Sequence, residues 1–224
     1  MSHDAKLRIY DQFARIGKAL ATPSRLELID LLMQGERPVD ALAHEAHLSV
    51  ANASQHLQVL HAAKLIESRR QGQRILYRIA DPVVERLWLA LRDTARKQLA
   101  ELEQVARDYL EGGDNFAPIE RKELSKRIKA GTVTLIDVRP REEYEQGHLP
   151  GAISVPVDEV DEWARSAPRR RPVVAYCRGP FCVYAIQAVA KLRKRGVQAT
   201  RSQDGVAEWR EAGLPVERAT ERRA

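Results

Sequence analysis

A glycine-rich joint near the middle of the chain, Glu111-Gly112-Gly113-Asp114-Asn115, separates two halves with different patterns. Adjacent glycines flanked by Asp and Asn are unfavourable inside a helix or a strand and are typical of a connection between units. Before the joint, apolar residues recur at helical spacing; after it, short β-branched runs alternate with helical stretches. The pattern predicts two domains, at 1–111 and 118–217, with a linker at 112–117 and a polar tail at 218–224.

Composition narrows the class of protein. Of the 224 residues, 44% are hydrophobic and 30% are charged, which excludes wholesale disorder. No apolar run approaches the roughly 18 residues that a membrane-spanning helix needs. The polar stretch Met1–Tyr10 lacks the apolar core of a signal peptide. We therefore expect a cytoplasmic protein with no membrane partner.

The first half has the pattern of four helices and a hairpin. We expect helices over Leu7–Leu20, from Thr22-Pro23-Ser24 to about Met33, over Val39–Ala46, and from Ser49 to about Ala63. Two β-prone runs, Leu65–Arg70 and Arg74–Ile79, flank Gln71-Gly72-Gln73, which is a hairpin signature. This order is that of a mainly α winged helix-turn-helix, in which the β-hairpin is the wing.

Polar side chains suited to base and phosphate contacts lie on the fourth helix and the wing. Amides pair with adenine edges in a major groove, hydroxyls reach bases or phosphates, and arginines bind the phosphate backbone. The candidate DNA-binding residues are Ser49, Asn52, Ser54, Gln55, His56, Gln58, Arg69, Arg70 and Arg74. The alternative is a surface helix with a solvated hairpin, but the cap, the helix and the basic wing occur together and in order.

These elements, with the segments ALATPSRL at 19–26 and SQHLQVL at 54–60, resemble the arsenical-repressor (ArsR/SmtB) family over roughly residues 7–110. The resemblance implies a homodimer that binds an inverted repeat in double-stranded DNA, with a recognition helix and a wing from each protomer. We expect a transcriptional repressor on this basis.

A long helix over Val83–Leu110 is the predicted dimerisation element. Its apolar stripe has near-heptad spacing that is interrupted at Gln98. The stripe consists of Val84, Trp88, Leu91, Ala95, Leu102, Val105 and Tyr109. We expect this stripe to form a dimer seam together with the first helix; packing inside the domain is the alternative.

The first half departs from the metal-sensing members of that family. Many of those members bind metal through Cys-x-Cys on the third helix or through Asp, His and Glu on the last helix. Here the third helix has no cysteine and the last has no histidine. His44 and His47 are close in sequence but lack a third ligand. We therefore predict no metal site and no cofactor.

The second half has the pattern of an α/β domain with a parallel sheet. Expected strands begin near Thr132, cover Pro172–Tyr176 and cover Val197–Arg201, and a helix runs from Val183 to about Lys194. Ligand sites in such sheets lie at the carboxyl ends of the strands. Residues 114–224 contain 21 Lys/Arg against 16 Asp/Glu, and we interpret Arg169-Arg170-Arg171 as a solvated loop.

The two cysteines of the chain, Cys177 and Cys182, lie at the end of the Pro172–Tyr176 strand. Close spacing in a cytoplasmic protein favours redox, sulfur or metal chemistry over a secreted disulfide framework. Amides at a strand–loop–helix junction, together with the helix N-terminus, favour the reactive thiolate. The alternatives are an inert buried pair and a weak two-thiol metal site.

The second half resembles a single rhodanese domain over roughly residues 118–217. The resemblance rests on IDVR at 136–139, Glu143-Tyr144, GHLPGA at 147–152, the Cys177 loop, and Asp204-Gly205 with Trp209 and GLPV at 213–216. It implies that Cys177 takes sulfane sulfur from a donor such as thiosulfate or polysulfide as a persulfide. It also implies that the loop backbone forms a cradle for an anion, with the residues Arg178, Gly179, Pro180, Phe181 and Cys182. The residues implied to organise the domain are Asp137, Arg139 and His148, and Arg139 would border the site.

Cys182 leaves two interpretations open. It replaces a hydroxyl residue common at this position of sulfurtransferases, or it resolves a Cys177 persulfide into a bridge, which requires Cα atoms within about 7 Å. Related oxyanion-transfer enzymes have a loop that is one residue longer and ends in Arg. Val183 occupies that position here, which disfavours oxyanion transfer.

The combination predicts a DNA-binding regulator in which Cys177, with Arg178 and Cys182, senses or transfers sulfane sulfur. The alternatives are a rhodanese-type sulfurtransferase tethered to DNA or to a partner, with DNA binding independent of sulfur, and a non-catalytic partner-binding module.

Overall fold

The computed structural model describes residues 3–110 and 118–218. The chain forms two compact units, Met1–Arg92 and Asp93–Ala224, and each is described by itself. The predicted linker at 112–117 and most of the predicted tail lie outside the described residues, so the domain limits given above stay a prediction. Within the described part, no helix is both long and apolar enough to cross a membrane.

The first unit has the element order of a winged helix-turn-helix. In chain order its elements are α1 (His3–Leu20), α2 (Pro23–Leu32), β1 (Arg37–Pro38), α3 (Val39–Glu45), α4 (Val50–Ala62), β2 (Ile66–Gln71), β3 (Arg74–Ile79) and the start of α5 (Pro82–Gln98). The predicted fold is confirmed here. The short β1 was not predicted, because its two residues carry no periodicity of their own.

Local sequence accounts for the recognition helix and the wing. The Ser49 hydroxyl accepts the Asn52 amide N–H at 3.2 Å and so caps α4. Gly72 has φ +61° at the tip of the hairpin, in the left-handed region that favours glycine. The antiparallel sheet has the order β1-β3-β2, which anchors the wing to the rest of the domain.

The core of this unit is formed by one face of each of the helices α2 to α4 and by the base of the hairpin. Its fully buried members include Leu28, Ile29, Leu42, Leu57, Leu60 and Ile66. In contrast, α1 buries only Ala19 and Leu20, and the Phe13 side chain is 64% exposed. A helix with an apolar, uncovered face is thus left at the start of the chain.

The long helix expected over Val83–Leu110 is instead two helices, α5 (Pro82–Gln98) and α6 (Ala100–Leu110), separated at Leu99. The Leu99 N–H still bonds to the Ala95 carbonyl, but the Leu102 N–H bonds to the Leu99 carbonyl, a tighter three-residue step. The break contains neither Gly nor Pro, so residue type alone gave no sign of it. It falls where the apolar stripe skips Gln98.

The predicted stripe on these helices is divided by the structure. Val84 is buried in the domain core, and the Trp88 indole N–H donates to the Asp30 carboxylate at 3.0 Å. Leu91 remains 40% exposed and Val105 62% exposed, whereas the Tyr109 side chain lies outside the description. Internal packing therefore buries Val84 fully and Trp88, Ala95 and Leu102 in part, and it leaves Leu91 and Val105 exposed.

The second unit contains a parallel sheet with the order β5-β4-β6-β7. Its elements are α7 (Arg121–Lys129), β4 (Thr134–Asp137), α8 (Arg141–Gln146), β5 (Ile153–Ser154), α9 (Val160–Ser166), β6 (Val173–Tyr176), α10 (Val183–Lys194), β7 (Ala199–Arg201) and α11 (Val206–Glu211). This confirms the predicted α/β class. The last strand is shorter than expected, since Val197 precedes it.

Alternation along the central strand β6 divides this domain into two cores. Val173 and Ala175 pack among residues of α9 and α10, whereas Val174 and Tyr176 pack among residues that include Leu124 of α7 and Trp209 of α11. All four β6 residues are buried. A strand covered on both faces is typical of a parallel sheet, and its carboxyl end delivers the next residue, Cys177, to the edge of the sheet.

Candidate functional sites

Cys177 and Cys182 are joined by a disulfide across the loop between β6 and α10. Their Cα atoms are 6.2 Å apart, within the range that a bridge requires. Cys177 is only 2% exposed, whereas Cys182 is partly exposed and is the N-cap residue of α10. The buried thiol position is thus paired with a more accessible one.

The loop has fewer free backbone N–H groups for binding an anion than the resemblance implied. Pro180 has no N–H, and the Cys182 N–H is used inside the loop, where it donates to the Gly179 carbonyl at 3.2 Å. Arg178, Gly179 and Phe181 remain as candidate amide donors for an anion at Cys177. Whether they form the cradle stays a prediction.

Arg178 pairs with Glu143, a carboxylate that carries part of the rhodanese resemblance but to which the sequence assigned no role at the site. Its guanidinium donates to both oxygens of Glu143, with Nη2 to Oε1 at 2.5 Å and Nε to each oxygen at 3.1 Å. The Glu143 side chain is fully buried and that of Arg178 is 12% exposed. Arg178 also lies over the Tyr184 ring, 5.5 Å from its centroid. The expected cation beside Cys177 is therefore neutralised by a buried partner.

Asp137 and Arg139 form the buried base of the same network. The Arg139 guanidinium donates to the Asp137 carboxylate at 2.6 Å and to the Gly147 carbonyl at 2.7 Å, and it lies 3.9 Å from Glu143. Both side chains are fully buried. Burial lowers the pKa of Arg139, but the Asp137 carboxylate more than offsets it and raises that pKa above its ordinary value.

Tyr176 connects this network to the second core. Its hydroxyl donates to Asp137 at 2.6 Å and accepts the Leu149 N–H at 3.0 Å. Burial and the Asp137 carboxylate raise the pKa of Tyr176 well above 10, which keeps the phenol neutral and able to donate.

His148 lies away from the cysteine loop. Its ring stacks on Tyr144 with centroids 3.8 Å apart, and Nδ1 donates to the Tyr144 carbonyl at 2.8 Å. The imidazole is fully buried, and the backbone of His148 pairs with that of Glu217. The organising role that the resemblance implied for His148 stays a prediction, and among the described residues its ring contacts lie with Tyr144 and Glu217.

Gly205 packs closely against the backbone of the cysteine loop. A Cβ atom at this position would lie 2.5 Å from the Cys177 carbonyl oxygen and 2.6 Å from the Arg178 carbonyl group. No side chain fits there without movement of backbone. The Gly205 N–H donates to the Glu208 carboxylate at 2.8 Å, which caps the start of α11.

A cleft of about 370 Å³ lies beyond the carboxyl ends of β4 and β5. Its walls include Val138, Pro156, Val157 and Tyr184, and Arg141 pairs with Glu159 among its lining residues. Tyr184 also contacts Arg178, so the cleft adjoins the side chains that follow the two cysteines.

In the other domain, the structure exposes most of the candidate DNA-binding side chains. Asn52, Gln55 and Gln58 are exposed on α4, whose opposite face buries Leu57 and Leu60. Ser49, which serves as the cap, is also exposed, whereas Ser54 and His56 are half-buried. The amide-bearing side chains are thus available to a groove.

The three wing arginines differ in their partners. Arg69 binds Glu36 through two contacts, and the Arg70 guanidinium donates to the Gly72 carbonyl at 3.0 Å. Arg74 pairs with Gln71 in the β2–β3 ladder, but its exposed side chain has no ion-pair or hydrogen-bond partner among the described residues. A phosphate would therefore have to compete with Glu36 for Arg69 but would meet no competitor at Arg74.

A metal site finds no support in the described residues. They contain no group of three or more His, Cys, Asp or Glu side chains arranged to hold a metal ion. His44 and His47 are both exposed, and His47 lies beyond the end of α3 with φ +51°.

Comparison with known proteins agrees with this two-part architecture. Residues 22–68 match the family described as bacterial regulatory protein, arsR family, and residues 120–212 match the rhodanese-like domain. An HTH-type transcriptional regulator of Mycobacterium tuberculosis is 46% identical over 96% of this chain and 94% of its own length. A sulfurtransferase of Allochromatium vinosum is 32% identical over 44% of this chain and 92% of its own.

Among solved structures, a homodimeric winged helix-turn-helix DNA-binding domain from Mycobacterium bovis is 42% identical. It covers 45% of this chain and 94% of its own length, with a TM-score of 0.42.

Fold and sites together define a winged helix-turn-helix transcriptional regulator that carries a second, rhodanese-like domain. The chain belongs to the ArsR family of HTH-type bacterial transcriptional regulators.

Proposed function

We propose that this regulator is a homodimeric repressor whose DNA affinity is set by sulfane sulfur at Cys177. The observation that carries the proposal is the disulfide between Cys177 and Cys182, the two cysteines of the chain, inside a rhodanese-like loop. The winged domain has no comparable detector among its described residues, because it contains no cysteine and no metal-binding cluster.

The chemistry proceeds in two steps. The Cys177 thiolate attacks a sulfane sulfur; a Cys177–sulfur bond forms, and the donor's bond breaks, releasing sulfite when the donor is thiosulfate. The Cys182 thiolate then attacks Sγ of Cys177, the disulfide forms and hydrosulfide leaves. In the second step the two cysteines are oxidised and the sulfane sulfur is reduced. An external thiol restores the reduced pair by exchange.

Bridge formation supplies a physical signal at the loop. Arg178 and Gly205 tie the loop to α8 and α11, respectively, so a change in the Cys177–Cys182 separation acts on both elements. The cleft beside Tyr184 has the size of a small-molecule site and lies at the expected edge of the sheet.

Dimerisation is supported by apolar side chains that the first unit does not cover. Leu7, Tyr10 and Phe13 on α1 are at least half exposed, and Leu91 on α5 is 40% exposed. A monomer gains nothing from such a surface, whereas a second copy would bury it. The related Mycobacterium bovis domain is described as a homodimer.

The test is binding of the full chain to the DNA upstream of its own gene, followed by fluorescence anisotropy at fixed salt. Polysulfide treatment of the reduced protein should weaken binding at least tenfold, which is about 1.4 kcal/mol of coupling. Cys177→Ser should abolish the response and any persulfide seen by intact-mass spectrometry.

Cys182→Ser is the matched variant, since it retains the persulfide but cannot form the bridge. Loss of the DNA response in this variant would identify the bridge as the signal. A response to polysulfide that persists in Cys177→Ser would overturn the proposal, and so would wild-type binding that is tight and indifferent to sulfur.

A second candidate function is a sulfurtransferase tethered to DNA, with DNA binding independent of sulfur. The match to the rhodanese-like domain and the similarity to a sulfurtransferase over this half favour it. Steady formation of thiocyanate from thiosulfate and cyanide, lost in Cys177→Ser while DNA affinity ignores the sulfur state, would support this function instead.

A further inference from the structure

The rhodanese-like domain has a strongly basic surface that the proposed sulfur chemistry does not use. Three segments carry it, at 126–129, 169–171 and 193–195, and they are called here the basic edge. Each segment holds three Lys or Arg residues. Over 126–133, 168–172 and 193–198 the sequence has no Asp or Glu.

The parallel sheet brings the three segments together. They precede β4, β6 and β7, which are neighbours in the sheet, and Thr134, Val173 and Ala199 are in register at the amino ends. Adjacent strands lie about 4.8 Å apart, so the amino ends of the three strands fall within about 10 Å along one edge, and the segments that precede them share that end of the sheet. The cysteine loop leaves the opposite, carboxyl edge.

Direct contacts confirm this proximity. The Arg169 guanidinium donates to the carbonyl groups of Arg195 and Gly196 at 3.3 and 3.2 Å, which joins the second and third segments. A Cβ atom at Gly131 would lie 3.9 Å from the Arg171 guanidinium, which places the end of α7 beside the second segment.

Few acidic side chains neutralise the basic edge. Glu123 pairs with Arg127, and Asp161 pairs with Arg195. Lys129, Arg170 and Lys194 are exposed and have no hydrogen-bond or ion-pair partner among the described residues. Each segment therefore has at least one exposed cationic side chain that is not paired with an acidic residue among the described residues.

We infer that the basic edge binds the phosphate backbone of duplex DNA and adds a sequence-independent contact to that of the winged domain. Clustered arginines match phosphate geometry, and such contacts release counterions along the duplex. The edge segments contain no Phe, Tyr or Trp, so they offer no stacking platform for a single strand. A chain already bound through its helix-turn-helix also keeps this surface at high local concentration near DNA.

The experiment compares two triple variants of the full-length, reduced protein on a duplex of arbitrary sequence. Lys129→Gln/Arg170→Gln/Lys194→Gln removes the unpaired cations of the basic edge. Lys122→Gln/Arg210→Gln/Arg218→Gln removes the same charge from exposed residues of this domain outside the edge. Anisotropy titrations over a series of salt concentrations give the slope of log K against log salt.

The edge variant should weaken binding about tenfold and reduce the magnitude of the slope by about 2 to 3, close to one unit per lost phosphate contact. The control variant should change the slope by less than one unit, and thermal unfolding should show that both variants fold. Equal slopes for the two variants would overturn the inference. If the edge variant loses binding to phosphatidylserine vesicles while its DNA binding is unchanged, the inference is wrong and the edge binds a membrane surface instead. Because the protein stays reduced and Cys177 is intact, either result leaves the sulfur proposal to its own test.

Discussion

At the scale of single residues, the site depends on a buried chain of alternating charges, Asp137, Arg139, Glu143 and Arg178. The charges cancel, which makes their burial tolerable, but each member depends on its neighbour. Removing one partner of a buried pair leaves an uncompensated charge and costs more than the pair itself contributes. We expect substitution of Glu143 to affect stability strongly, because its carboxylate lies beside the guanidinium groups of both Arg139 and Arg178.

We predict that Glu143→Gln lowers the free energy of unfolding by about 3 kcal/mol, because Arg139 and Arg178 lose a carboxylate in a buried position. Glu142→Gln, an exposed neighbour on the same helix, should stay within about 0.5 kcal/mol of the wild type. Denaturant unfolding of both variants measures the difference. If Glu143→Gln were as stable as Glu142→Gln, the result would show that Glu143 does not pair with Arg178 in solution.

At the scale of elements, the cysteine loop is shaped by its neighbours as much as by its own sequence. The loop closes onto Gly205 at the start of α11, and its second residue is fixed by Glu143 of α8. Neither element lies close to the cysteines in sequence. The loop therefore has the geometry of a strand–helix junction only because the rest of the domain packs around it.

Gly205→Ala should destabilise the second domain by about 1 to 3 kcal/mol, since the added methyl group meets backbone atoms of Cys177 and Arg178. It should also slow formation of the Cys177–Cys182 disulfide in the reduced protein. The matched control is Gly17→Ala on α1, where nothing lies within 4 Å of the added atom. That variant should be neutral or up to about 1 kcal/mol more stable. Thermal unfolding and thiol quantification provide the two readouts, and a Gly205 variant as stable as the wild type would contradict the close packing.

At the scale of the whole molecule, the winged unit leaves an apolar face on α1 that its own core does not cover. A repressor that reads an inverted repeat needs two recognition helices in a fixed arrangement, which a dimer provides. Any influence of sulfur on DNA binding would have to alter that arrangement or its stability.

Phe13→Glu is predicted to convert the proposed homodimer to a monomer at micromolar concentration and to weaken binding to the upstream DNA at least tenfold. A charge at a 64% exposed apolar position costs nothing in the monomer but is buried in a dimer. Gln12→Glu introduces the same charge on an exposed neighbour and should leave the dimer intact. Light scattering coupled to size-exclusion chromatography measures the mass, and a dimeric Phe13→Glu would exclude α1 from the interface.

Local patterns were enough to predict both folds, the cap of α4, the turn at Gly72 and the position of Cys177 at the end of a buried strand. Each depends on residues close in sequence: apolar periodicity, a hydroxyl before a helix, or a glycine between two β-prone runs. The break at Leu99 could not be predicted, because no helix-breaking residue marks it.

Contacts between distant residues had to come from the tertiary structure. The pairing of Glu143 with Arg178, the approach of Gly205 to Cys177 and the meeting of three basic segments at one sheet edge join residues far apart in the chain. Such contacts depend on strand order and helix packing, which short-range patterns do not specify. Strand order also places Arg169-Arg170-Arg171, which the sequence predicts as a solvated loop, at the same end of the sheet as the segments 126–129 and 193–195.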